Sequence, residues 1–257
     1  MLRFVINLDR SIDRWMSISG NLAKLGIAAE RVAGVDGRLM SNEECQKLQP
    51  NLRSKWEFPR EISKGEIGCY LSHIKCWESL RDSDEEWALI MEDDIAFSDR
   101  AIFYFTNQDW IPKGVDLVQP FIVEKRWRAK VEKSKIQLEN GDRLLHPLKP
   151  YPVCTLAYFI NRTTAIDALE NSKKLAMPVD EFLFGPMSSW AKKHPVWRLN
   201  PAVVCGQEFE STIGSERRKL YMRSSMMAKY NPIRHIRKIK NSLHHILNSD
   251  VEDFEFK

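Results

Sequence analysis

No run in the chain approaches the roughly 20 consecutive apolar residues that a membrane-crossing helix requires, so no spanning helix is expected. The opening "MLRFVINL" leads straight into a strand pattern without the zones of a signal peptide, and the expected location is the cytoplasm. Cysteine is scarce: five residues, at 45, 69, 76, 154 and 205, form no Cys-x-x-Cys and sit mostly within apolar stretches. They read as reduced core side chains, with neither a disulfide framework nor a zinc site indicated. Glycine is missing from "NLDRSIDR" after the first strand, where a sugar nucleotidyltransferase would carry its glycine-rich phosphate loop. Internal repeats and low-complexity tracts are absent. Acids are absent from 217–240, which holds nine Lys or Arg, so the net charge of +4 is concentrated there and the rest of the chain is slightly acidic.

What is present is a chain of 257 residues, 43% of them hydrophobic, enough to bury the core of one large domain or two small ones. Residues 4–8 read as a strand. Ser11 follows as a candidate N-cap, and Ile12, Trp15, Ile18, Leu22 and Leu25 recur at helical spacing up to Gly26. A second strand at 30–35 ends in Asp36-Gly37, completing a strand–helix–strand unit of a parallel sheet. Ligands of such sheets sit at the carboxyl ends of the strands, where Asn7, Asp9 and Asp36 fall. Turns favour Asn and Asp with no ligand at all, so spacing leaves both meanings open. Further on, 65–81 reads as a helix, 115–119 and 155–160 as strands, 124–135 as an exposed hairpin or loop, and 162–173 and 179–192 as helices. The whole is α/β, with the clear domain ending near residue 215.

The stretch "WALIMEDDIAF" (87–97) places Glu92, Asp93 and Asp94 at the end of a short apolar strand. Three unpaired negative charges in such a place repel one another, and burying one without a partner is costly. On an extended backbone Glu92 and Asp94 project to one face and Asp93 to the other. An acid-x-acid pair at a strand end suits a divalent cation with hard oxygen ligands, Mn²⁺ or Mg²⁺, with positions left for a diphosphate. The alternative is a solvated turn, because acids commonly end strands.

"GEIGCYLSH" before "LIMEDD", with "NLDRSIDR" at the amino end, "VAGVDG" between, and "MPVDEFLF" and "KKHPV" in the carboxyl half, resembles glycosyltransferase family 25, the lipooligosaccharide and collagen galactosyltransferase group. The resemblance covers about residues 3–215. It implies a GT-A fold, with a Rossmann-like nucleotide-binding half and mixed central sheet joined to an acceptor-binding half, acting on a UDP-sugar with inversion. On the residues that match the family's motifs, Asp94 is the main metal ligand, Glu92 a supporting metal or ribose contact, and Asp93 a sugar contact or a structural residue. Asp180, after Pro178 at a helix start, matches Pro-Val-Asp and is the candidate base for the acceptor hydroxyl, with Glu181 as understudy; a plain helix N-cap is the other meaning of an Asp there. His73 matches the family motif but lies on a helix, where a lone His is commonly structural. Arg10 and Arg14 are suited to the diphosphate or are surface charges of the first helix. Gln207 and Ser211, in "GQEFESTIG", resemble a late family pattern that closes over the nucleotide. One departure concerns the segment before Tyr158, which reads Cys154-Thr155-Leu156-Ala157 where relatives tend to have a glycine, and it bears on the sugar pocket.

Residues 216–257 form a basic amphipathic tail in which Ile233, Ile236, Ile239, Leu243 and Ile246 make one helical stripe beside Arg and Lys. It either lies on the inner face of the cytoplasmic membrane, beside a lipid-linked oligosaccharide acceptor, or packs on the domain. Nucleic acid is not expected as a partner, since aromatic interleaving is lacking. The final "DVEDFEFK" reads as an acidic, mobile end. The expected function is metal-dependent, inverting transfer of a hexose, most simply galactose, from a UDP-sugar to a saccharide acceptor in lipooligosaccharide or lipopolysaccharide biosynthesis. A sugar nucleotidyltransferase and a non-enzymatic basic adaptor are the alternatives.

Overall fold

The structure, a computed structural model, describes residues 1–49, 61–122, 126–148, 153–207 and 249–257. In chain order the amino-terminal elements are β1 (Leu2–Asn7), α1 (Ile12–Lys24), β2 (Glu30–Ala33), a 3-10 turn (Gly37–Leu39), α2 (Asn42–Leu48), α3 (Lys64–Arg81) and β3 (Trp87–Glu92). There follow β4 (Ile95–Phe97), α4 (Ala101–Thr106), β5 (Leu117–Gln119), β6 (Phe121–Ile122), β7 (Arg126–Gln137) and β8 (Arg143–Pro147). The last are β9 (Ala157–Asn161), α5 (Arg162–Asn171), α6 (Val179–Phe184), α7 (Ser189–Lys193), β10 (Trp197–Asn200), β11 (Val204–Gly206) and β12 (Ser249–Glu255).

Nine strands form one sheet in the order β12-β7-β8-β10-β5-β9-β3-β1-β2, and β4, β11 and β6 form a second, three-stranded one. β1 pairs in parallel with both β2 and β3, while β9 runs antiparallel to β3 and β5. A Rossmann-like parallel half thus continues into a mixed central sheet, as the GT-A expectation requires. Because the chain leaves β1 for β2 on one side and returns as β3 on the other, the carboxyl ends of β1 and β3 flank a switch point, where α/β sheets bind their ligands.

Two apolar cores sandwich the sheet, and strand alternation sorts residues between them. Phe4, Ala88, Ile90, Tyr158 and Ile160 face the core that holds Ile67, Tyr70 and Trp77 of α3. Val5, Leu89, Met91, Ala157 and Phe159 face the core that holds Ile18 and Leu22 of α1. Trp77 is fully buried, and a large apolar side chain in that position contributes about 1.5–3 kcal/mol relative to exposure. α1 begins after Ser11 and ends before Gly26, whose φ of +68° only glycine adopts freely, but Ser11 makes no side-chain cap and Ile12 stays 62% exposed. α3 is capped more firmly, with Ser63 and Glu66 forming a reciprocal capping box.

Three sequence expectations are corrected. The exposed hairpin or loop at 124–135 is largely β7, a long strand inside the main sheet. The single helix at 179–192 is two, α6 and α7, because Gly185-Pro186 interrupts it: proline cannot continue a helix and forces the preceding residue extended. The acidic end is not a mobile tail but β12, antiparallel to β7. Asp253 meets Arg128 at 2.7 Å, and Lys135 reaches Asp250 and Glu252 at 2.9 and 2.7 Å. Such surface pairs contribute little each. Phe254 anchors the strand, fully buried with Ile122, Ala129, Val131 and Leu145. The boundary placed at 215, the basic stripe and Ser211 lie outside the described residues. Among the described residues no helix is long and apolar enough to cross a membrane.

Candidate active site

A cleft opens at the carboxyl ends of the first three strands. Ile6, Leu8, Arg10, Ser11 and Arg14 line it from β1 and the start of α1, and Val35, Asp36, Gly37 and Arg38 from the loop after β2. Gly65, Cys69, Ser72 and His73 of α3 form the opposite wall, and Glu92, Asp93 and Asp94 the end of β3.

The second glycine of "GEIG", Gly68, and the one after Asp36 explain how that loop reaches the cleft. A Cβ on Gly37 would stand 1.7 Å from the Lys64 carbonyl oxygen, and one on Gly68 would stand 2.4 Å from the Val35 oxygen. The first turn of α3 and the loop therefore pack backbone to backbone. Ser72 Oγ accepts a hydrogen bond from Val35 N at 2.8 Å and donates to the Gly68 carbonyl at 2.7 Å, fixing the loop that carries Asp36. Asp36 caps the 3-10 turn and pairs with Arg10 and Arg38. Although its partial burial acts the other way, hydrogen bonds from Arg38 and the charges of Arg10 and Arg38 hold its carboxyl below the usual range.

On the α1 side an ionic network sets the wall. Asn7 is buried, donating to Ser11 O at 2.9 Å and to Asp93 Oδ2 at 2.6 Å while accepting from Arg31 Nε at 2.8 Å. Arg14 lies 3.1 Å from Asp93 and 3.8 Å from Asp94. The expected split, with Glu92 and Asp94 on one face and Asp93 on the other, is not kept: β3 ends at Glu92, and beyond it both aspartates reach Arg14. Strand alternation lapses where the strand does.

Glu92 turns toward α3. Thr155 Oγ1 donates to its Oε1, and His73 Nε2 stands 4.0 Å from the same oxygen. Burial, the charge of Asp94 and, more weakly, Asp180 and Asp93 push its carboxyl up to about 8, against the Thr155 hydrogen bond. Asp94 is likewise raised by burial and by Asp93, with Arg14 opposing, and its Oδ1 is buried without a hydrogen-bond partner. His73 is fully buried and held neutral, its pKa lowered by burial to about 3. Its Nδ1 is 2.8 Å from the Tyr158 hydroxyl, which also accepts from Trp77 Nε1 at 2.9 Å. Nε2 is left without a hydrogen-bond partner. Buried polar atoms are rarely left unsatisfied, and two of them beside raised carboxylates in one cleft are the kind of arrangement that functional sites hold. The donor set of Asp94 and Glu92, hard oxygens with one orphaned, fits a divalent ion such as Mn²⁺ or Mg²⁺.

The structure brings Arg10, Arg14, Asp36, His73, Glu92, Asp93 and Asp94 to one cleft. Arg10 and Arg14 are therefore not mere surface charges. It does not bring Asn7, Asp9 or Gln207 into the lining. Asn7 braces Asp93 from within, Asp9 is an exposed partner of Arg31 at 2.7 Å, and Gln207 donates its backbone N–H to the Asp94 carbonyl at 2.8 Å. Asp180 and Glu181 also lie outside the lining, in the first turn of α6; the N-cap position belongs to Pro178, so Asp180 is not the cap. Its charge bears on Glu92 and Cys69 of the cleft lining and on Cys154, so the first turn of α6 lies within electrostatic reach of the cleft. Sequence reasoning read Cys69, which lines the cleft, as a core side chain, and it missed the roles of Arg31, Ser72, Thr155 and Tyr158. Of these only Ser72, four residues after Gly68 and thus on the same helix face, left a local signal.

The model of glycosyltransferase family 25 (LPS biosynthesis protein) matches residues 1–183. A glycosyltransferase 25 family member of Drosophila melanogaster is 32% identical over 205 residues, covering 75% of this chain and 32% of that protein. Procollagen galactosyltransferase 2 of Homo sapiens is 29% identical over 208 residues, covering 75% and 30%. The chain spans about a third of the length of the curated relatives it matches. Among solved structures, a glycosyltransferase involved in the glycosylation of the major capsid of PBCV-1 aligns over 88% of this chain and 100% of that one, at 11% identity and a TM-score of 0.39.

Proposed function

Since the chain belongs to glycosyltransferase family 25, we propose that it is a cation-dependent, inverting glycosyltransferase. It moves a hexose, in the first instance galactose, from a UDP-sugar to a hydroxyl of a lipooligosaccharide or lipopolysaccharide saccharide. The observation that carries this reading is the cleft at the strand ends, where Glu92, Asp93 and Asp94 converge and Asp94 Oδ1 is buried without a hydrogen-bond partner. The galactosyltransferase names among relatives support the sugar, and the family's description supports the acceptor class.

In this reading Asp94, with Glu92 in support, holds Mn²⁺ or Mg²⁺. When bound, the ion supplies the positive charge that offsets the charge developing on the departing diphosphate. Arg14, fixed by Asp93, adds a preset cation at the same end, and a guanidinium matches phosphate oxygens in shape. Ile6, Leu8 and Val35 offer an apolar wall to the base, with Asp36 beside it for ribose hydroxyls. Asp180 takes the acceptor hydroxyl's proton. The freed oxygen forms its bond to the anomeric carbon as the carbon–phosphate-oxygen bond opposite breaks, which inverts the centre. Backbone amides of the first turn of α6 favour the ionised carboxylate.

The test is transfer from a panel of UDP-hexoses, with donor binding followed by thermal shift in Mn²⁺. Chelator abolishes turnover and Mn²⁺ restores it; turnover indifferent to chelator overturns the cation's role. Asp180→Asn binds donor near normally while transfer falls by about 10²–10⁴-fold. Equal loss of donor binding in that variant would reassign Asp180 to structure.

A further inference from the structure

Cys69 and His73 stand one turn apart on α3, so their side chains leave the same face of the helix. Glu92 meets them from the end of β3. Cys69 Sγ, a His73 ring nitrogen and a Glu92 carboxylate oxygen all lie within 4.8 Å of one another, and among the described residues no other group of His, Cys, Asp and Glu converges in this way. The decisive member is His73. It is fully buried, its Nδ1 is engaged by Tyr158, which Trp77 braces in turn, and its Nε2 faces Glu92 with no hydrogen-bond partner. Metal-ligating imidazoles are almost always anchored in this way through their other nitrogen.

We propose that Cys69, His73 and Glu92 form a second cation site, suited to a zinc-class ion, whose filling draws Glu92 away from the hard cation at Asp94. The second half of that statement rests on the cation role proposed above; the first does not. Thiolate and imidazole favour Zn²⁺ over Mg²⁺ or Mn²⁺, so ligand softness separates the two sites although they share a carboxylate. Three protein ligands leave a fourth, tetrahedral position for water from the cleft. Around zinc, with bonds of about 2.0–2.3 Å, ligand atoms stand about 3.3–3.8 Å apart, so the three must close by at most about 1.5 Å, within reach of side-chain rotation at Cys69 and Glu92. Binding selects the tautomer in which His73 Nδ1–H donates to Tyr158 Oη. The Cys69 S–H bond breaks as the sulfur–metal bond forms, and the proton goes to buffer.

Co²⁺ is the probe, titrated into chelator-treated full-length protein. The expected spectrum carries a thiolate-to-cobalt charge-transfer band and tetrahedral d–d bands at one equivalent. Cys69→Ser and Cys69→Ala remove the charge-transfer band, and Asp94→Asn keeps it. Absence of the band from the wild type, or its survival in both Cys69 variants, overturns the site. In turnover assays with Mn²⁺, Zn²⁺ inhibits, and Cys69→Ser raises the Zn²⁺ concentration needed by about tenfold or more, since even outer partners of a metal ligand carry that much. Inhibition equal in both proteins overturns the competition. Should no Mn²⁺-dependent turnover exist, the cobalt spectrum still reports the site by itself.

Discussion

On the α1 side of the cleft carboxylates meet guanidinium groups: Asp36 has Arg10 and Arg38, Asp93 has Arg14, and Asp9, just outside, has Arg31. On the α3 side Glu92 accepts a hydrogen bond from the Thr155 hydroxyl and faces a neutral imidazole rather than a guanidinium, His73 Nε2 has no hydrogen-bond partner, and at the strand end neither does Asp94 Oδ1. Both walls belong to one cleft and are built by neighbouring strands, yet the first is satisfied internally and the second is not. The paired wall sets shape. The unpaired wall keeps its electrostatic demand for something that binds, which is how functional sites come to hold perturbed carboxylates.

The sharpest way to break this contrast is to exchange one oxygen for nitrogen on each side. Asp94→Asn is expected to lower transfer about 10³-fold, the scale of losing one charge-stabilising group, while chemical denaturation shows stability unchanged or slightly raised, because a buried like-charge neighbour is gone. Asp93→Asn is expected to do the reverse: about 1–3 kcal/mol of stability lost, as the buried Asp93 carboxylate that pairs with Arg14 and accepts from Asn7 is replaced by a neutral amide, with a smaller fall in turnover. Equal profiles for the two variants would erase the distinction between the walls.

A smaller effect tests the loop that joins them. Gly37→Ala drives a methyl into the Lys64 carbonyl; overpacking of this kind costs about 1–3 kcal/mol, and donor affinity should fall with it because Asp36 moves. A urea midpoint unchanged from wild type would show that the backbone contact yields freely.

The smallest effect lies in pH. Glu92, raised from 4.5 to about 8, contributes stability that is present below pH 4.5 and is lost as pH climbs to about 8. His73, lowered from 6.5 to about 3, contributes stability that is present above pH 6.5 and is lost as pH falls toward 3. Between 4.5 and 6.5 the two slopes oppose each other, leaving a fall from these groups between pH 6.5 and 8 in metal-free protein. Glu92→Gln should remove that fall, and Mn²⁺ should reverse it in the wild type. Urea midpoints measured across this range decide the matter, and a fall that persists in Glu92→Gln would mean another group titrates there.

Much of the fold was legible because its cues are local. Ile18 and Leu22 repeat at helical spacing and bury together; residues 87–91 are an apolar run and form β3; Gly26 ends α1. The acids at the end of β3 were legible as a site because charge cannot end a buried strand without consequence. Arg31's grip on Asn7 was not legible, since 24 residues separate partners that meet only when β1 and β2 pair. Nor was β12, whose acidic stretch becomes a strand only against Arg128 and Lys135 of a distant one.

Sequence alone therefore determined the strand–helix–strand frame, the family and the carboxylates at the strand end, because periodicity and motif order act over a few residues. Tertiary structure decided which acids are neutralised and which are left wanting. It also decided that Cys69, His73 and Glu92, with no metal-binding spacing between them in the chain, share one corner of the cleft. Charge and coordination depend on distance in space, and only the packing of α3 against β3 sets that distance.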